Sequence, residues 1–205
     1  MFVVIAGNIG SGKSALTSLL HEKFGWVPHY ESVENNPYLQ DFYRDMSRWA
    51  FHLQVYFLSR RFMLHREMTE RVKTGVVQDR SIYEDALIFA RNLHDMGCMD
   101  DRDYANYQAL FASMTPYVRV PDLLIYLRAD VPTLQRQIRL RGREFEQRID
   151  PSYLEQLSIL YENWISNYKL GPLLVVDTHK MDIVHDPQNQ EEVMYQIDHL
   201  LRNKR

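Results

Sequence analysis

The chain has 205 residues, and its 45% hydrophobic and 25% charged residues are ordinary for a globular domain and exclude wholesale disorder. A single cysteine, Cys98, excludes an internal disulfide framework and a cysteine-rich zinc site, and it indicates a reducing compartment, which we expect to be the cytoplasm. The net charge of −3 argues against a long nucleic acid as partner, and because no run of 18 apolar residues occurs we expect no membrane association.

Five short apolar runs predict buried strands, at residues 2–6, 26–30, 75–79, 123–127 and 173–177. Helical patterns separate and follow them, at residues 13–24, 46–72, 82–96, 102–114, 131–140, 151–168 and 191–200. Strands that alternate with helices predict an α/β fold in which helices cover both faces of a parallel sheet. No repeat or linker interrupts the pattern, so we expect one domain over residues 1–205. Ligands bind beyond the carboxyl ends of such strands, so functional residues are expected just after the apolar runs.

The strongest motif follows the first apolar run and opens the first helical pattern. Eight residues fit G-x-x-x-x-G-K-[ST], the phosphate-binding loop: Gly7, Asn8, Ile9, Gly10, Ser11, Gly12, Lys13 and Ser14. The glycines let backbone N–H groups surround phosphates, and the helix N-terminus adds a favourable dipole. Lys13 places a cation near the β- and γ-phosphates, and the Ser14 hydroxyl is suited to coordinate Mg²⁺. The motif predicts a site for a nucleoside triphosphate, and its strand-and-helix context disfavours a glycine turn that binds nothing.

The rest of the sequence narrows the class of phosphate-loop protein. It has neither the Asp-x-x-Gly switch nor the Asn-Lys-x-Asp base reader of a GTPase. The third apolar run ends in Asp79 followed by Arg80, not in the adjacent acids of a motor ATPase, and this suits a second substrate that carries a hydroxyl or phosphate. Five arginines between residues 136 and 148 suit a small anion such as a phosphate chain, or equally a solvated helix face.

Further landmarks extend along nearly the whole chain, at residues 31–33, 36–39, 48–58, 78–85, 114–117, 141–146 and 161–166. On these landmarks and the phosphate loop, the sequence resembles the deoxynucleoside kinase family, most closely its bacterial deoxyadenosine/deoxycytidine kinases. The resemblance implies a P-loop kinase fold with a five-stranded parallel sheet flanked by helices and an arginine-rich LID at about residues 136–148. It also implies ATP and Mg²⁺ as cofactors and a homodimer formed through helices beside the sheet.

The resemblance assigns the chemistry to residues that follow the second and third strands. Glu31 matches the carboxylate that takes the proton from the nucleoside 5′-hydroxyl as general base. Asp79 is implied to lie near the substrate and Mg²⁺, together with Ser14. Arg80 is implied to bind the 5′-oxygen and the transferring phosphoryl group, as a catalytic cation beside Lys13. Without the resemblance, Glu31 is equally well a surface carboxylate or a helix cap, and Asp79 and Arg80 form a local surface ion pair.

The resemblance assigns substrate recognition to five residues. Gln54 matches a glutamine that pairs with the base edge, although in its apolar helix it also fits a core glutamine satisfied by backbone. Arg61 and Asp85 match an arginine and an aspartate that flank the base in relatives preferring purines or cytosine, which implies poor phosphorylation of thymidine. Tyr43 and Glu146 match the pair that holds the sugar 3′-hydroxyl. From the sequence alone, these last four residues are ordinary surface residues.

The LID departs from the family pattern at one position. Arg141 and Arg143 are implied to close over the ATP phosphates. Relatives usually carry another arginine four residues before the first of these, but this chain has Gln137, and a shift of register to Arg136 stays an alternative. After the last strand, residues 177–186 are implied to approach the adenine of the donor.

We therefore expect an ATP-dependent kinase that phosphorylates the 5′-hydroxyl of deoxyadenosine and also accepts deoxycytidine. A deoxyguanosine kinase is the alternative within the family. A non-catalytic nucleotide-binding module is the alternative from another class, and the presence of Glu31, Asp79 and Arg80 together argues against it.

Overall fold

A five-stranded parallel sheet forms the centre of the computed structural model. The structure describes residues 1–30, 36–71 and 74–202, and for residues 69–71 it describes the backbone alone. Its strands are β1 Phe2–Gly7, β2 Val27–His29, β3 Val76–Asp79, β4 Leu123–Arg128 and β5 Leu173–Asp177. They lie in the order β2-β3-β1-β4-β5, with every pair parallel. The prediction of an α/β fold with a five-stranded parallel sheet is confirmed.

Helices connect the strands and cover the sheet. They are α1 Lys13–Phe24, α2 Leu39–Arg44, α3 Met46–Arg71, α4 Ile82–Glu84, a π-helical segment Asp85–Ala90, α5 Arg91–Asp95, α6 Asp101–Met114, α7 Val131–Arg141, α8 Pro151–Ser166 and α9 Pro187–Arg202, with single 3₁₀ turns at Thr115–Tyr117 and Glu144–Glu146. None of the helices in the described part of the chain combines the length and the apolar character needed to cross a membrane.

Helices cover both faces of the sheet. Successive residues of a strand point to opposite faces, so both sets of side chains are buried. Val3 and Ile5 of β1 pack with side chains from α1 and α9 on one face. Val4 and Ala6 pack on the other face, in a larger core with side chains from α3, α6, α7 and α8. The central strand β1 therefore carries its carboxyl end, where the phosphate loop begins, into the middle of the molecule.

The helix boundaries differ from the predicted ones where local signals are weak. Helix α2 is absent from the prediction because six residues are too short to display helical periodicity. The predicted helix at 82–96 is continuous through residue 95, but its middle is π-helical, which a 3.6-residue pattern does not reveal. Helix α9 begins four residues earlier than predicted, at Pro187, since proline is favoured in the first turn.

Candidate active site

The phosphate loop joins β1 to α1, as the motif predicts. Gly10 has φ 83°, and a side chain there would approach the carbonyl oxygen of Leu134 to 2.8 Å, so only glycine fits. Asn8 anchors the loop to α8 because its Nδ2 donates to the carbonyl of Leu154 at 2.8 Å and to the hydroxyl of Ser158 at 2.9 Å. The ammonium group of Lys13 lies inside the loop and donates to two of its carbonyls at 2.9 Å. The loop is therefore held in a curled, cation-containing conformation.

A cavity of about 480 Å³ opens beside this loop, a size typical of small-molecule sites. The loop contributes Ile9, Gly10, Gly12, Lys13 and Ser14 to its wall, and other segments contribute Leu39, Phe42, Tyr43, Leu53, Gln54, Phe57, Asp79, Arg80, Phe89, Gln137, Leu140, Arg141, Arg143, Phe145, Glu146, Tyr153, Val184 and His185. Most of the predicted site residues thus surround one space. Glu31 lies outside the described residues.

Asp79 and Ser14 meet at the carboxyl end of β3, where the Ser14 hydroxyl donates to Oδ2 of Asp79 at 2.7 Å. The other carboxylate oxygen of Asp79 is buried and has no hydrogen-bond partner among the described residues. Mg²⁺ prefers oxygen ligands and usually takes only one or two carboxylates, with water and substrate phosphates completing its shell. These two side chains therefore fit the magnesium ion that the sequence predicts, although within residues 1–30, 36–71 and 74–202 no three His, Cys, Asp or Glu side chains are arranged as a metal cluster.

Arg80 follows Asp79 and lines the cavity. Its backbone is left-handed, with φ 69°, and its N–H donates to the carbonyl of Ile5 at 2.9 Å. Its guanidinium stacks over the ring of Phe89, 4.1 Å from the ring centre. The side chain is almost fully buried yet lines the cavity, so its positive charge is available to an anionic ligand there.

Gln54 projects from α3 into the cavity wall. Its side chain is 3% exposed, and its Oε1 atom has no hydrogen-bond partner among the described residues. A core glutamine satisfied by backbone, the alternative from the sequence, would have this oxygen paired. An unpaired buried amide oxygen beside a cavity instead provides a recognition group for a ligand with an N–H or O–H donor.

Glu146 is buried and connects the LID to the cavity. Its carboxylate binds Arg141 and, at 3.2 Å, Arg143. Next to it, the ring of Phe145 stacks on the ring of Tyr43 with centres 5.6 Å apart. Both residues predicted to hold the sugar hydroxyl thus lie at the cavity, together with both predicted LID arginines.

The structure also bears on the register of the LID. Gln137 lines the cavity, whereas Arg136 is exposed and is not part of the wall. Val184 and His185, within the predicted adenine-approaching segment, also contribute to the wall. The neutral Gln137 therefore occupies the position that faces the cavity.

Arg61 and Asp85 form a buried ion pair that is not part of the cavity wall. The Nε atom of Arg61 lies 2.6 Å from Oδ2 of Asp85, and both side chains are at most 5% exposed. Their predicted contact with the base stays a prediction.

Two features of the site were missing from the sequence prediction. The apolar wall includes Phe57, which helical spacing alone places one turn from Gln54 and which the pattern therefore could have revealed. Glu84 lies fully buried under the phosphate loop. Its spacing from Ser81 is that of a capping box, which the structure contains, but this signal predicts the start of a helix and not the burial. Burial raises the pKa of the Glu84 carboxyl, while the positive charges of Arg80 and Lys13 oppose that increase.

Comparison with known proteins identifies relatives that match nearly the whole chain. Residues 3–202 match the sequence profile of the family described as deoxynucleoside kinase. The chain is 43% identical over 197 residues to a deoxyadenosine/deoxycytidine kinase of Bacillus subtilis (strain 168), covering 95% of this chain and 90% of that protein. It is 38% identical over 204 residues to a deoxyguanosine kinase of Lactobacillus acidophilus, covering 95% of this chain and 88% of that protein. Among solved structures, a deoxyadenosine kinase from M. mycoides with bound dATP superposes with a TM-score of 0.86 at 28% identity, covering 97% of this chain and 100% of that chain.

Proposed function

This chain belongs to the deoxynucleoside kinase family, and we propose that it transfers the γ-phosphoryl group of ATP to the 5′-hydroxyl of deoxyadenosine and, as a second substrate, deoxycytidine. It is a phosphotransferase of the P-loop kinase fold. The observation that carries the substrate proposal is the buried amide oxygen of Gln54, which no described residue pairs, in the cavity that the phosphate loop also lines.

The base preference is supported by hydrogen-bond chemistry. Adenine and cytosine both present an exocyclic amino donor beside a ring-nitrogen acceptor. The amide of Gln54 offers the complementary acceptor and donor, with Oε1 for the amino group and Nε2 for the ring nitrogen. One side chain thereby serves both bases, which agrees with the dual specificity named for the B. subtilis relative.

The proposed chemistry is direct, in-line transfer without a phosphoenzyme, so the side chains position reactants and neutralise charge. Lys13 in the loop and Arg80 in the cavity wall supply positive charge to the transferring phosphoryl group. Arg141 and Arg143 close over the donor phosphates. Glu31 accepts the proton of the 5′-hydroxyl.

Magnesium is proposed to bind at Ser14 and Asp79. The hydroxyl of Ser14 and the carboxylate oxygen of Asp79 that has no partner within residues 1–30, 36–71 and 74–202 are the ligand types that this ion prefers. Bound there with ATP, Mg²⁺ would neutralise charge on the β- and γ-phosphates.

A homodimer in the cytoplasm completes the proposal. Large apolar side chains are exposed on α3, the π-helical segment and α6, namely Met63, Leu87 and Leu110, and these three elements pack against one another. The cytoplasmic assignment depends on the single cysteine. Analytical ultracentrifugation of the purified protein should give about twice the chain mass of 24.5 kDa.

Deoxyguanosine kinase is the second candidate because relatives with that name are nearly as similar. Measuring kcat/KM for the four natural deoxynucleosides with ATP and Mg²⁺ separates the two. We expect the highest value with deoxyadenosine, then deoxycytidine, and a poor value with thymidine. A highest value with deoxyguanosine would replace the proposal by its alternative, and no turnover of any of the four would overturn it.

The role of Glu31 is tested by Glu31→Gln, which keeps the size of the side chain but removes the base. ATP binding by calorimetry should stay unchanged, while kcat falls by a factor of about 10² to 10⁴, the range for loss of a general base. A kcat near that of the wild type would remove Glu31 from this role.

A further inference from the structure

The ladder between β1 and β3 ends just before the phosphate loop and the turn at Arg80. Its last pair is Ile5 with Asp79, and the N–H of Arg80 adds one bond to the carbonyl of Ile5. Beyond this point β1 continues beside β4 to Gly7, where the phosphate loop begins, whereas the other chain turns at Arg80. Strand pairing alone therefore does not hold Gly7 to the segment that follows Arg80.

The carboxyl group of Glu84 joins these two segments. Its Oε1 atom accepts the N–H of Gly7 at 3.2 Å, and its Oε2 atom accepts the N–H of Ser81 at 2.8 Å and the Ser81 hydroxyl at 3.2 Å. Glu84 has no exposed surface, so bulk water does not compete for these bonds. One side chain thus connects the start of the phosphate loop to the residue after Arg80.

Tyr161 on α8 supports the same oxygen of Glu84. Its hydroxyl lies 2.8 Å from Oε1 of Glu84 and 2.9 Å from the carbonyl oxygen of Gly7, which also accepts the ammonium group of Lys13 at 2.9 Å. The ring of Tyr161 is fully buried and stacks on the ring of Tyr126 with centres 5.7 Å apart, which restricts its movement. Both polar backbone groups of Gly7 are therefore held by buried side chains.

The turn at Arg80 has a second support, which comes from Arg61 on α3. The Nη1 atom of Arg61 donates to the carbonyl of Asp79 at 3.3 Å and to the carbonyl of Arg80 at 3.1 Å. These bonds join the turn to α3, whereas the bonds of Glu84 join the following residue to the phosphate loop. The two supports differ in what they connect.

Two backbone N–H groups can share one side chain in this way only if both of its ends accept. Each oxygen of a carboxyl group can accept an N–H, in the ionised and in the protonated form, whereas an amide nitrogen cannot. We propose that Glu84, held by Tyr161, is a positioning residue for phosphoryl transfer, because it fixes the phosphate loop relative to Arg80. The inference rests on the proposed function, in which Lys13 of the loop and Arg80 both act on the transferring phosphoryl group.

The test is Glu84→Gln, which keeps the shape of the side chain but accepts at one end only, so either Gly7 or Ser81 loses its acceptor. We expect kcat to fall by about 10- to 100-fold, the cost of a small misplacement of the reacting groups. The Kd values of ATP and of deoxyadenosine, measured separately by calorimetry, should each change less than threefold, since each substrate alone does not require the alignment. The calorimetric stoichiometry corrects kcat for any unfolded fraction.

The second variant is Tyr161→Phe, which keeps the carboxyl group of Glu84 and its two backbone partners but removes the hydroxyl that supports it. We expect kcat to fall by about three- to tenfold, which corresponds to one hydrogen bond. Tyr126→Phe is the matched control, because it removes a hydroxyl from the same stacked pair, but one that binds Glu162 at 3.0 Å. It should keep the kcat and both Kd values of the wild type. If Glu84→Gln does not fold, Tyr161→Phe decides the question alone.

Two other roles of Glu84 give different results, and either result overturns the positioning role. As a counter-ion only, for the charges of Lys13 and Arg80, Glu84 would change the Kd of ATP more than threefold when it is neutralised, and Tyr161→Phe would keep the kcat of the wild type. A role in folding alone would lower the stoichiometry and leave kcat for each binding site unchanged in both variants.

The outcomes are separable from those of the proposed function. If the wild type phosphorylates no deoxynucleoside, the proposed function fails and this inference fails with it. If the wild type is active and both Glu84→Gln and Tyr161→Phe keep its kcat, only the positioning role is overturned.

Discussion

The carboxylate of Glu84, which has no exposed surface, accepts a hydrogen bond at 3.2 Å from the backbone N–H of Gly7, the first residue of the phosphate loop. The same oxygen accepts the Tyr161 hydroxyl at 2.8 Å, and the other oxygen accepts the N–H of Ser81 at 2.8 Å. One buried acid thus ties the loop after β1 to the helix that follows β3. These hydrogen bonds connect the phosphate loop to the segment that follows Arg80, in addition to the pairing of β1 with β3.

The first prediction concerns the pH dependence of stability that Glu84 causes. Burial raises the folded-state pKa of Glu84 above 4.5, so the folded protein binds its proton more tightly than the unfolded chain does. The associated stability is fully present below about pH 4 and is lost as pH rises through the folded-state pKa. In Glu84→Gln this dependence is absent. The measurement is urea unfolding of the wild type and of Glu84→Gln from pH 4 to pH 8. As pH rises, the free energy of unfolding of the wild type should decrease relative to that of the variant. If the difference between the two free energies stays constant, the assignment is contradicted.

His65 should produce a pH dependence of opposite sign. Its Nε2 accepts the backbone N–H of Arg119 at 2.7 Å, which requires a neutral ring, and burial together with the charge of Arg119 lowers its pKa below 6.5. The stability is fully present above pH 6.5 and is lost as pH falls toward the folded-state pKa. The loss is about 1.4 kcal/mol for each unit by which that pKa lies below 6.5. His65→Gln keeps a hydrogen-bond acceptor but does not titrate. In urea unfolding, the free energy of unfolding by which the wild type exceeds the variant should therefore shrink as pH falls from 7.5 to 5. A difference that grows would exclude this role.

Removing the charge of Asp79 should weaken the use of magnesium. In Asp79→Asn the side chain still reaches Ser14 but provides no negative oxygen, so we expect the Mg²⁺ concentration at half-maximal rate to rise by about 10- to 100-fold. Titration of activity with MgCl₂ at saturating ATP measures this shift. The fully exposed Asp101 offers the control, and Asp101→Asn should behave as the wild type. An unchanged magnesium requirement in Asp79→Asn would place the ion elsewhere.

Gln137 faces the cavity between the LID and the phosphate loop, so Gln137→Arg adds a cation there. A charge-assisted hydrogen bond to phosphate contributes about 1.5 kcal/mol, which corresponds to a decrease of roughly tenfold in the KM for ATP. Steady-state kinetics at saturating deoxyadenosine provide the value. Arg136→Gln, on the exposed side, should leave this KM unchanged. If Arg136→Gln raises it instead, the shifted register of the LID is correct.

Much of the fold was predictable because its signals are local. The strand at 173–177 and the helix at 13–24 occur at the predicted bounds, since a buried apolar run and a helix that begins in a glycine loop are encoded by neighbouring residues. Helix α2 was missed because its existence depends on packing Leu39 and Phe42 into the large core rather than on its own periodicity. The π-helical segment at Asp85–Ala90 was also missed. Its hydrogen bonds join residues five apart rather than four, and the spacing of apolar residues in the sequence does not reveal this difference.

The sequence by itself determined the phosphate loop, the alternation of five strands with helices, and the kinase family, because each of these depends on residue types at short, fixed spacings. Only the tertiary structure decided that Gln54 has an amide oxygen at the cavity with no partner in the described part of the chain, that Gln137 rather than Arg136 faces the cavity, and that Arg61 binds the carbonyls on either side of a strained turn. These three relationships join segments far apart in the chain. They arise from how whole helices pack on the sheet, and no spacing within a single segment encodes the direction in which a side chain finally points.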